Sequence, residues 1–157
     1  MQSVRLLSVL SLTGLILAAP VYSSETPASG GEAMSSDDSK QIVLRLFDDV
    51  LNGGKVSVID TLYAPDVVDH SAFPGQPEGV AGIKAAIGEF LATFDDLTIT
   101  VEDIFAEGGK VVTRETWQAT HKSSGKTVTG TVVHIFYVSD GRITDEWSRG
   151  WEWLESL

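Results

Sequence analysis

Apolar residues recur along this chain at two different spacings, and the change between them divides the chain in two. Between positions 42 and 94, large apolar residues recur three and four residues apart, which is the spacing of one face of an α-helix. From position 97 onward they alternate with polar residues, as in a strand with one buried face. The pattern therefore predicts helices first and a β-sheet after them.

Helices are predicted at three places in the first half. The first begins at Ser36, whose side chain suits an N-cap, and ends at Asn52-Gly53-Gly54. A short second helix is predicted over residues 56–62, because Pro65 disfavours helical backbone before it. The third follows a proline- and glycine-rich lid, residues 73–77. The apolar stripes of the first and third helices are Ile42, Val43, Leu46, Phe47, Val50 and Leu51, and Val80, Ile83, Ile87, Phe90, Leu91 and Phe94.

Four long strands are predicted in the second half, and glycine-containing turns separate them. The first begins at Leu97, the next two cover residues 111–121 and 128–138, and the last covers residues 143–153. Asp140-Gly141 between the last two is a strong hairpin signal. Helices followed by a meander of antiparallel strands are typical of an α+β domain, with the helices on one face of a curved sheet.

The start of the chain has the pattern of an export signal. Arg5 precedes an apolar run over residues 6–19, which is too short to cross a bilayer comfortably and fits a signal-peptide core. We expect a signal peptide over residues 1–23, a flexible linker over 24–36 and one domain over 37–157. The protein is then exported, to a periplasm or outside the cell, with no stable membrane insertion after cleavage. The alternative is an uncleaved anchor helix.

Charge and composition exclude several function classes. The formal net charge is −11, and such a surface repels phosphate backbones, so we expect no nucleic-acid partner. The chain has no cysteine and only three histidines, so it predicts no disulfide and no metal site. Nothing in the sequence indicates a cofactor, and the partner that we expect is a small apolar molecule.

Two histidines lie where acid–base chemistry is plausible. Asp69 and His70 follow the apolar pair Val67-Val68 and precede the lid, as residues at a pocket rim would. His134 shares the apolar face of its predicted strand with Phe136. An imidazole can carry a proton near neutral pH, and a neighbouring carboxylate can set its charge. The alternatives are a hydrogen-bonded core histidine at 134 and a local surface pair at 69 and 70.

The last strand offers two further acids, Asp145 and Glu146. Adjacent residues of a strand point to opposite faces, so one of the two is expected to share the face of His134. Strict alternation groups Asp145 with Trp147 and Trp151, and Glu146 with Ser148; a β-bulge would change this grouping. The sequence leaves the choice between the two acids open.

The order of these segments resembles the SnoaL-like polyketide cyclase family, within the nuclear-transport-factor-like and ketosteroid-isomerase-like superfamily. The resemblance covers roughly residues 38–150. It implies a cone-shaped α+β barrel, in which three N-terminal helices pack on a curved, four- to six-stranded, mostly antiparallel sheet and enclose an apolar pocket. Members usually form homodimers through the outer face of the sheet. The matching pieces are residues 64–70, 73–76, 94–97, 101–103, 120–121, 134–136, 140–143 and Trp147.

The resemblance also implies a chemistry and assigns residues to it. The enzymes that gave the family its name close a ring of a polyketide ester by an intramolecular aldol reaction, with acid–base groups and no cofactor. His134 matches the pocket histidine, Asp69 falls where the name-giving enzyme has an asparagine, and Ser148 falls where the acid–base aspartate would be. A serine hydroxyl does not shuttle protons near neutral pH without help.

Two hypotheses of function follow. The first is an exported acid–base enzyme of the cyclase, isomerase or hydrolase type that acts on a small polyketide-like carbonyl compound. Its catalytic candidates are His134, Asp69, Asp145 and Glu146. The second is a non-catalytic extracytoplasmic module that binds a small molecule. The side chains expected to contact a ligand in either case are His70, Phe73, Trp117, Phe136, Trp147 and Ser148.

Overall fold

The computed structural model describes residues 34–157, so the predicted signal peptide and most of the predicted linker lie outside the described residues. The three predicted helices are present. Ser35, not Ser36, caps the first one, because its hydroxyl accepts a hydrogen bond from the Asp38 backbone N–H. The helical segments are α1 (Ser36–Arg45), its π-helical continuation (Leu46–Asn52), a 3₁₀ turn (Val56–Val58), α2 (Ile59–Leu62) and α3 (Gly79–Thr93).

The sheet has five strands in the order β1-β5-β4-β3-β2. β1 runs parallel to β5, and the other neighbours are antiparallel. The sheet is curved and does not close, and the helices pack on one face. This confirms the predicted α+β class and a strand number between four and six. The strands are β1 (Tyr63–Asp69), β2 (Phe94–Glu107), β3 (Lys110–His121), β4 (Thr127–Ser139) and β5 (Arg142–Arg149).

The edge strand β1 was not predicted, because the sequence suggested a pocket rim without regular structure over these residues. Pro65 lies within this strand, and a proline, which cannot donate to a ladder, is tolerated at a sheet edge. The partner of β1 is the last strand, far away along the chain, with Tyr63 beside Ile143 and Asp69 beside Glu146. Local sequence patterns carry no information about such a pairing.

β5 ends earlier than predicted, and Gly150 is the reason. The strand was expected to run to residue 153, but Gly150 takes a φ of 107° and turns the chain out of the sheet. The 3₁₀ turn Trp151–Ser156 follows and packs against β4, where the Trp153 ring lies close over Gly130. The turn therefore returns two tryptophans to the inner side of the sheet.

This turn predicts a measurable cost for replacing Gly150. A Cβ there would collide with the carbonyl oxygen of Thr131 and sit on left-handed backbone, so we expect Gly150→Ala to lower the free energy of unfolding by about 3 kcal/mol. Gly125→Ala is the control, because Gly125 also has a positive φ but open space around it, and about 1 kcal/mol is expected. Equal urea-unfolding results for the two variants would contradict the argument.

The core lies between the helices and the inner face of the sheet. Alternation along β4 buries Val132, Phe136 and Val138, with His134 between them on the same face. Opposite them pack apolar residues of the first helical segments, namely Val43, Leu46, Phe47, Val50 and Leu51. Among the described residues, no helix is both long and apolar enough to cross a membrane.

Candidate functional site

A cavity opens between the helices and the inner face of the sheet. The cavity has a volume of about 100 Å³, which rises to about 700 Å³ when all the space between the atoms and out to its open mouth is included. Its aromatic walls are Phe47, Phe90, Trp117 and Trp151. The polar side chains in its lining are Tyr63, Asp69, Ser71, His134, Glu146 and Ser148. Apolar walls with a few convergent polar groups are typical of a small-molecule site.

His134 stands on the sheet side of this cavity, with 12% of its side chain exposed. Its Nδ1 lies 3.0 Å from Oε2 of Glu115 on β3. The imidazole stacks on Phe136 with ring centroids 5.4 Å apart, and Trp151 meets it edge-on at 5.9 Å. Because Nδ1 is occupied, Nε2 is the nitrogen left for a bound molecule.

Glu115 is a functional candidate that the sequence analysis missed. Its side chain is fully buried, and Oε2 also lies 3.5 Å from the indole Nε1 of Trp117. Oε1 has no hydrogen-bond partner within residues 34–157. The signal was present in the sequence: Glu115 lies at an inward position of β3, between Thr113 and Trp117. A charged residue at an inward position of an otherwise buried face calls for an explanation.

Glu146, and not Asp145, is the acid that β5 turns toward the cavity. The pairing of β5 with β4 shifts by one residue at Thr144, so that Ile143 and Glu146 both face inward. Withdrawal from water raises the pKa of Glu146 to about 7, with a smaller upward contribution from the charge of Asp69. His134 and the hydrogen bond from Tyr63 act against that shift.

Tyr63, the first residue of β1, is the second group that the sequence analysis missed. The phenol is buried, and its Oη donates a hydrogen bond of 2.7 Å to Oε2 of Glu146. Burial, followed by the nearby Glu146 carboxyl, raises the pKa of Tyr63 well above its ordinary value of 10. The phenol therefore keeps its proton throughout the neutral range and remains a donor to Glu146.

Ser148 lines the cavity directly across the strand pair from His134. Its hydroxyl oxygen accepts a hydrogen bond of 2.8 Å from the indole Nε1 of Trp151, and its backbone N–H donates to Oγ of Ser71 at 2.9 Å. These bonds hold the Trp151 wall and the segment after β1 against the end of β5. The arrangement gives Ser148 a supporting role in the wall.

Two predicted residues, Asp69 and Phe73, reach the cavity from its rim. The Asp69 carboxylate accepts hydrogen bonds from the Ser71 backbone N–H at 2.8 Å and from the Gln76 side-chain amide at 2.9 Å. Those bonds tie it to the lid segment. Phe73 lines the mouth while 55% of it stays exposed. Asp69 therefore shapes the rim and contributes negative charge near Glu146.

Other predicted site residues lie elsewhere. Asp145, His70 and Trp147 meet outside the cavity: His70 Nε2 is 3.0 Å from the Asp145 carboxylate, and the His70 and Trp147 rings stack at 3.8 Å. Phe136 is fully buried beneath His134 and does not line the cavity, whereas Trp117 does. The grouping of Trp151 with Asp145 by strict alternation is wrong, because Trp151 lies beyond the strand.

The part of the chain that the structure describes contains no group of three or more histidine, cysteine, aspartate or glutamate side chains placed to hold a metal ion. The cavity instead holds an imidazole backed by one carboxylate, and a second carboxyl group with a near-neutral pKa. An imidazole and a carboxyl of this kind are the side chains used for general acid–base chemistry.

Comparison with known proteins gives a consistent picture. The family model for SnoaL-like polyketide cyclase matches residues 41–150. No curated protein matches the chain. Among solved structures, TsrD from Streptomyces laurentii is 23% identical with a TM-score of 0.70, over 79% of this chain and 99% of its own. A candidate polyketide cyclase from Acidithiobacillus ferrooxidans is 28% identical with a TM-score of 0.67, over 79% and 97%. IdmH from Streptomyces antibioticus is 28% identical with a TM-score of 0.64, over 71% and 91%.

Proposed function

This chain belongs to the SnoaL-like polyketide cyclase family, and we propose that it is a cofactor-free acid–base enzyme for a small, apolar, polyketide-like carbonyl compound. The observation that carries the proposal is the pair of groups facing one cavity. His134 presents one ring nitrogen while a buried carboxylate occupies the other, and Glu146 has a pKa of about 7. A carboxyl with such a pKa, beside an imidazole with a free ring nitrogen, suits proton transfer at neutral pH.

The first step is removal of a proton from the carbon next to a carbonyl group. His134 Nε2 accepts this proton, and the electron pair of the broken C–H bond moves into the carbonyl to give an enolate. The protonated form of Glu146 donates a hydrogen bond to the enolate oxygen and keeps its proton for the second step. Because its pKa is about 7, this carboxyl is present in both protonated and ionised forms at neutral pH. An acid–base group needs both forms, because it must regain its proton after each turnover.

The second step decides the type of product. In an isomerisation, the proton returns to a different carbon. In a cyclisation, the enolate carbon attacks a second carbonyl carbon of the same molecule, a C–C bond forms as the C=O π bond opens, and the new alkoxide takes the proton of Glu146. The proton held by His134 then returns to Glu146 through solvent, which restores both groups. The aromatic walls suit a flat, apolar chain folded on itself.

Glu146 replaces the acid that the family pattern places at Ser148. The two residues lie two apart on β5 and both line the cavity. The carboxyl of this chain therefore stands one inward-facing position earlier on the same strand than the family pattern places it. Tyr63 holds this carboxyl by its 2.7 Å hydrogen bond. We infer that the acid–base role has moved to Glu146 and that Ser148 supports Trp151.

A deuterium-exchange screen tests the proposal. Enolisable diketo esters and ketones are incubated with the protein in D₂O, and loss of the C–H signal next to the carbonyl is followed by NMR. We expect exchange with at least one flat apolar member of the panel. Absence of exchange with every compound that binds would contradict the enzyme proposal.

Replacing Tyr63 by phenylalanine is expected to move the pH profile. The Tyr63 hydrogen bond lowers the pKa of Glu146, so its loss raises that pKa, and the alkaline limb of kcat/KM shifts to higher pH. Tyr63 itself keeps its proton in this range. Tyr137→Phe on the outer face is the control and should leave the limb unchanged. An unchanged limb in Tyr63→Phe would contradict Glu146 as the acid.

A non-catalytic binding module is the second candidate function. It is favoured by Ser148, which stands beside His134 on the neighbouring strand where the family pattern has an acid. The Ser148 hydroxyl accepts a hydrogen bond from Trp151 and is a poor proton shuttle. Native mass spectrometry of protein from its source would then show a retained small molecule, while the exchange screen stays negative. Detected exchange would exclude this candidate.

We further propose export and self-association. The predicted leader over residues 1–23 supports export, and N-terminal sequencing of the mature protein should begin at Ser24.

The outer face of β4 exposes Val133, Ile135 and Tyr137 by 36% to 39%, and an apolar face of this kind supports pairing with a second copy. Light scattering should give the mass of a homodimer; a monomer mass would contradict self-association.

A further inference from the structure

The carboxyl of Glu115 is buried on the apolar inner face of the sheet, where a charged side chain is costly. Its neighbours along the inner face and across the ladder, Thr113, Trp117 and Val132, are themselves buried. One of its oxygens has no partner within the described part of the chain. A buried carboxylate with an unsatisfied oxygen carries a desolvation cost that its hydrogen bonds do not fully offset. The position therefore suggests a purpose other than packing.

The contacts of the other oxygen indicate that purpose. Oε2 is 3.0 Å from Nδ1 of His134 and 3.5 Å from Nε1 of Trp117. An indole N–H only donates, and a carboxylate only accepts. Two ring nitrogens therefore converge on one acceptor, which places the imidazole proton on Nδ1. A neutral imidazole with its proton on Nδ1 has its lone pair on Nε2.

We propose that Glu115 is the positioning residue of this site, which holds His134 in the Nδ1–H tautomer so that Nε2 faces the cavity as a base. Glu115 is fully buried and does not line the cavity, so it acts through His134. Its effect on turnover rests on the proposed function, whereas the tautomer does not.

The four rings around His134 complete the arrangement. Phe136 stacks on the imidazole, and Phe47, Trp117 and Trp151 approach it at centroid distances of 5.9 to 6.2 Å. They restrict the ring plane, while the Glu115 contact selects which nitrogen bears the proton. The packed rings thus set the orientation of the imidazole, and the hydrogen bond to Glu115 sets its tautomer. A change at residue 115 should therefore alter the tautomer and leave the ring orientation unchanged.

The direct test is ¹⁵N NMR of the histidine side chains in the full domain. The chain has three histidines, and His70→Gln and His121→Gln assign their signals. We expect the neutral His134 ring to carry its proton on Nδ1. In Glu115→Gln, whose amide can accept or donate, a mixture of both tautomers is expected. In Glu115→Met, the Nε2–H form should dominate. Glu102→Gln, at an exposed position of β2, is the control and should change nothing.

Stability and activity provide the second readout. The urea midpoint of Glu115→Gln should stay close to that of the wild type, because the amide can still bond Nδ1 of His134, while exchange activity falls by up to about 10⁴-fold, the loss expected when the carboxylate behind a catalytic histidine becomes an amide. An Nε2–H tautomer in the wild type, or an unchanged tautomer in both variants, would overturn the inference. If the tautomers behave as expected while wild-type exchange is absent, the positioning role stands and the proposed function fails.

Discussion

Replacing His134 by alanine is expected to lower the rate of C–H exchange by about 10²- to 10⁴-fold, the usual contribution of a positioned acid–base group. The imidazole is the group in the cavity whose free nitrogen can take the proton, because its other nitrogen is engaged by Glu115 at 3.0 Å. Substrate affinity should change little, since the aromatic walls remain in place. The measurement is kcat and KM for the best compound of the exchange screen.

His121→Ala is the matched control for this variant. His121 lies at the end of β3 and contacts Ser124 at the turn, away from the cavity lining. Its replacement should leave kcat and KM unchanged. Near-UV circular dichroism should confirm that the tryptophans around position 134 keep their packing in both variants. A His134→Ala protein that is folded and fully active would remove the imidazole from the mechanism.

Replacing Glu146 by glutamine is expected to abolish a pH dependence of stability. The pKa of Glu146 rises from 4.5 to about 7 on folding, so between these values the folded state binds more protons than the unfolded state. Its contribution to stability is therefore present below pH 4.5 and is lost as the pH rises through about 7. The loss is about 3 kcal/mol at most.

Urea unfolding at pH 5 and pH 8 measures this effect. From pH 5 to pH 8 the wild type should lose more free energy of unfolding than Glu146→Gln does. Glu152→Gln is the control, at an exposed position of the last turn, and it should behave like the wild type. Glu146→Gln should also lower the exchange rate by about 10²-fold, because an amide cannot deliver a proton. Parallel stability curves for the wild type and Glu146→Gln would contradict the near-neutral pKa.

Much of the fold follows from short-range patterns. The stripe from Ile42 to Leu51 has helical spacing, and the alternation along β4 places His134 on the buried face with Phe136. The Asp140-Gly141 hairpin forms as predicted, with both residues at positive φ. These features depend on residues close together in the chain, which is why residue spacing alone was enough to predict them.

The parts of the site that were not predicted depend on long-range pairing. Strand β1 pairs with β5, and only this contact brings Tyr63 to Glu146. The one-residue shift at Thr144 determines that Glu146 and not Asp145 faces inward. Glu115 was different, since its inward position on β3 could be read from alternation and its charge marked it as unusual.

The central claim is that His134 and Glu146 act as one unit in a single cavity. Its most direct test is the C–H exchange rate of the wild type, the two single variants His134→Ala and Glu146→Gln, and the double variant, measured with one compound at pH 7. Residues that act as a unit show strongly non-additive losses. We predict that each single change lowers the rate by about 10²-fold or more and that the double change is scarcely worse than the more damaging single one. Fully additive losses, or a single variant with the wild-type rate, would contradict the claim.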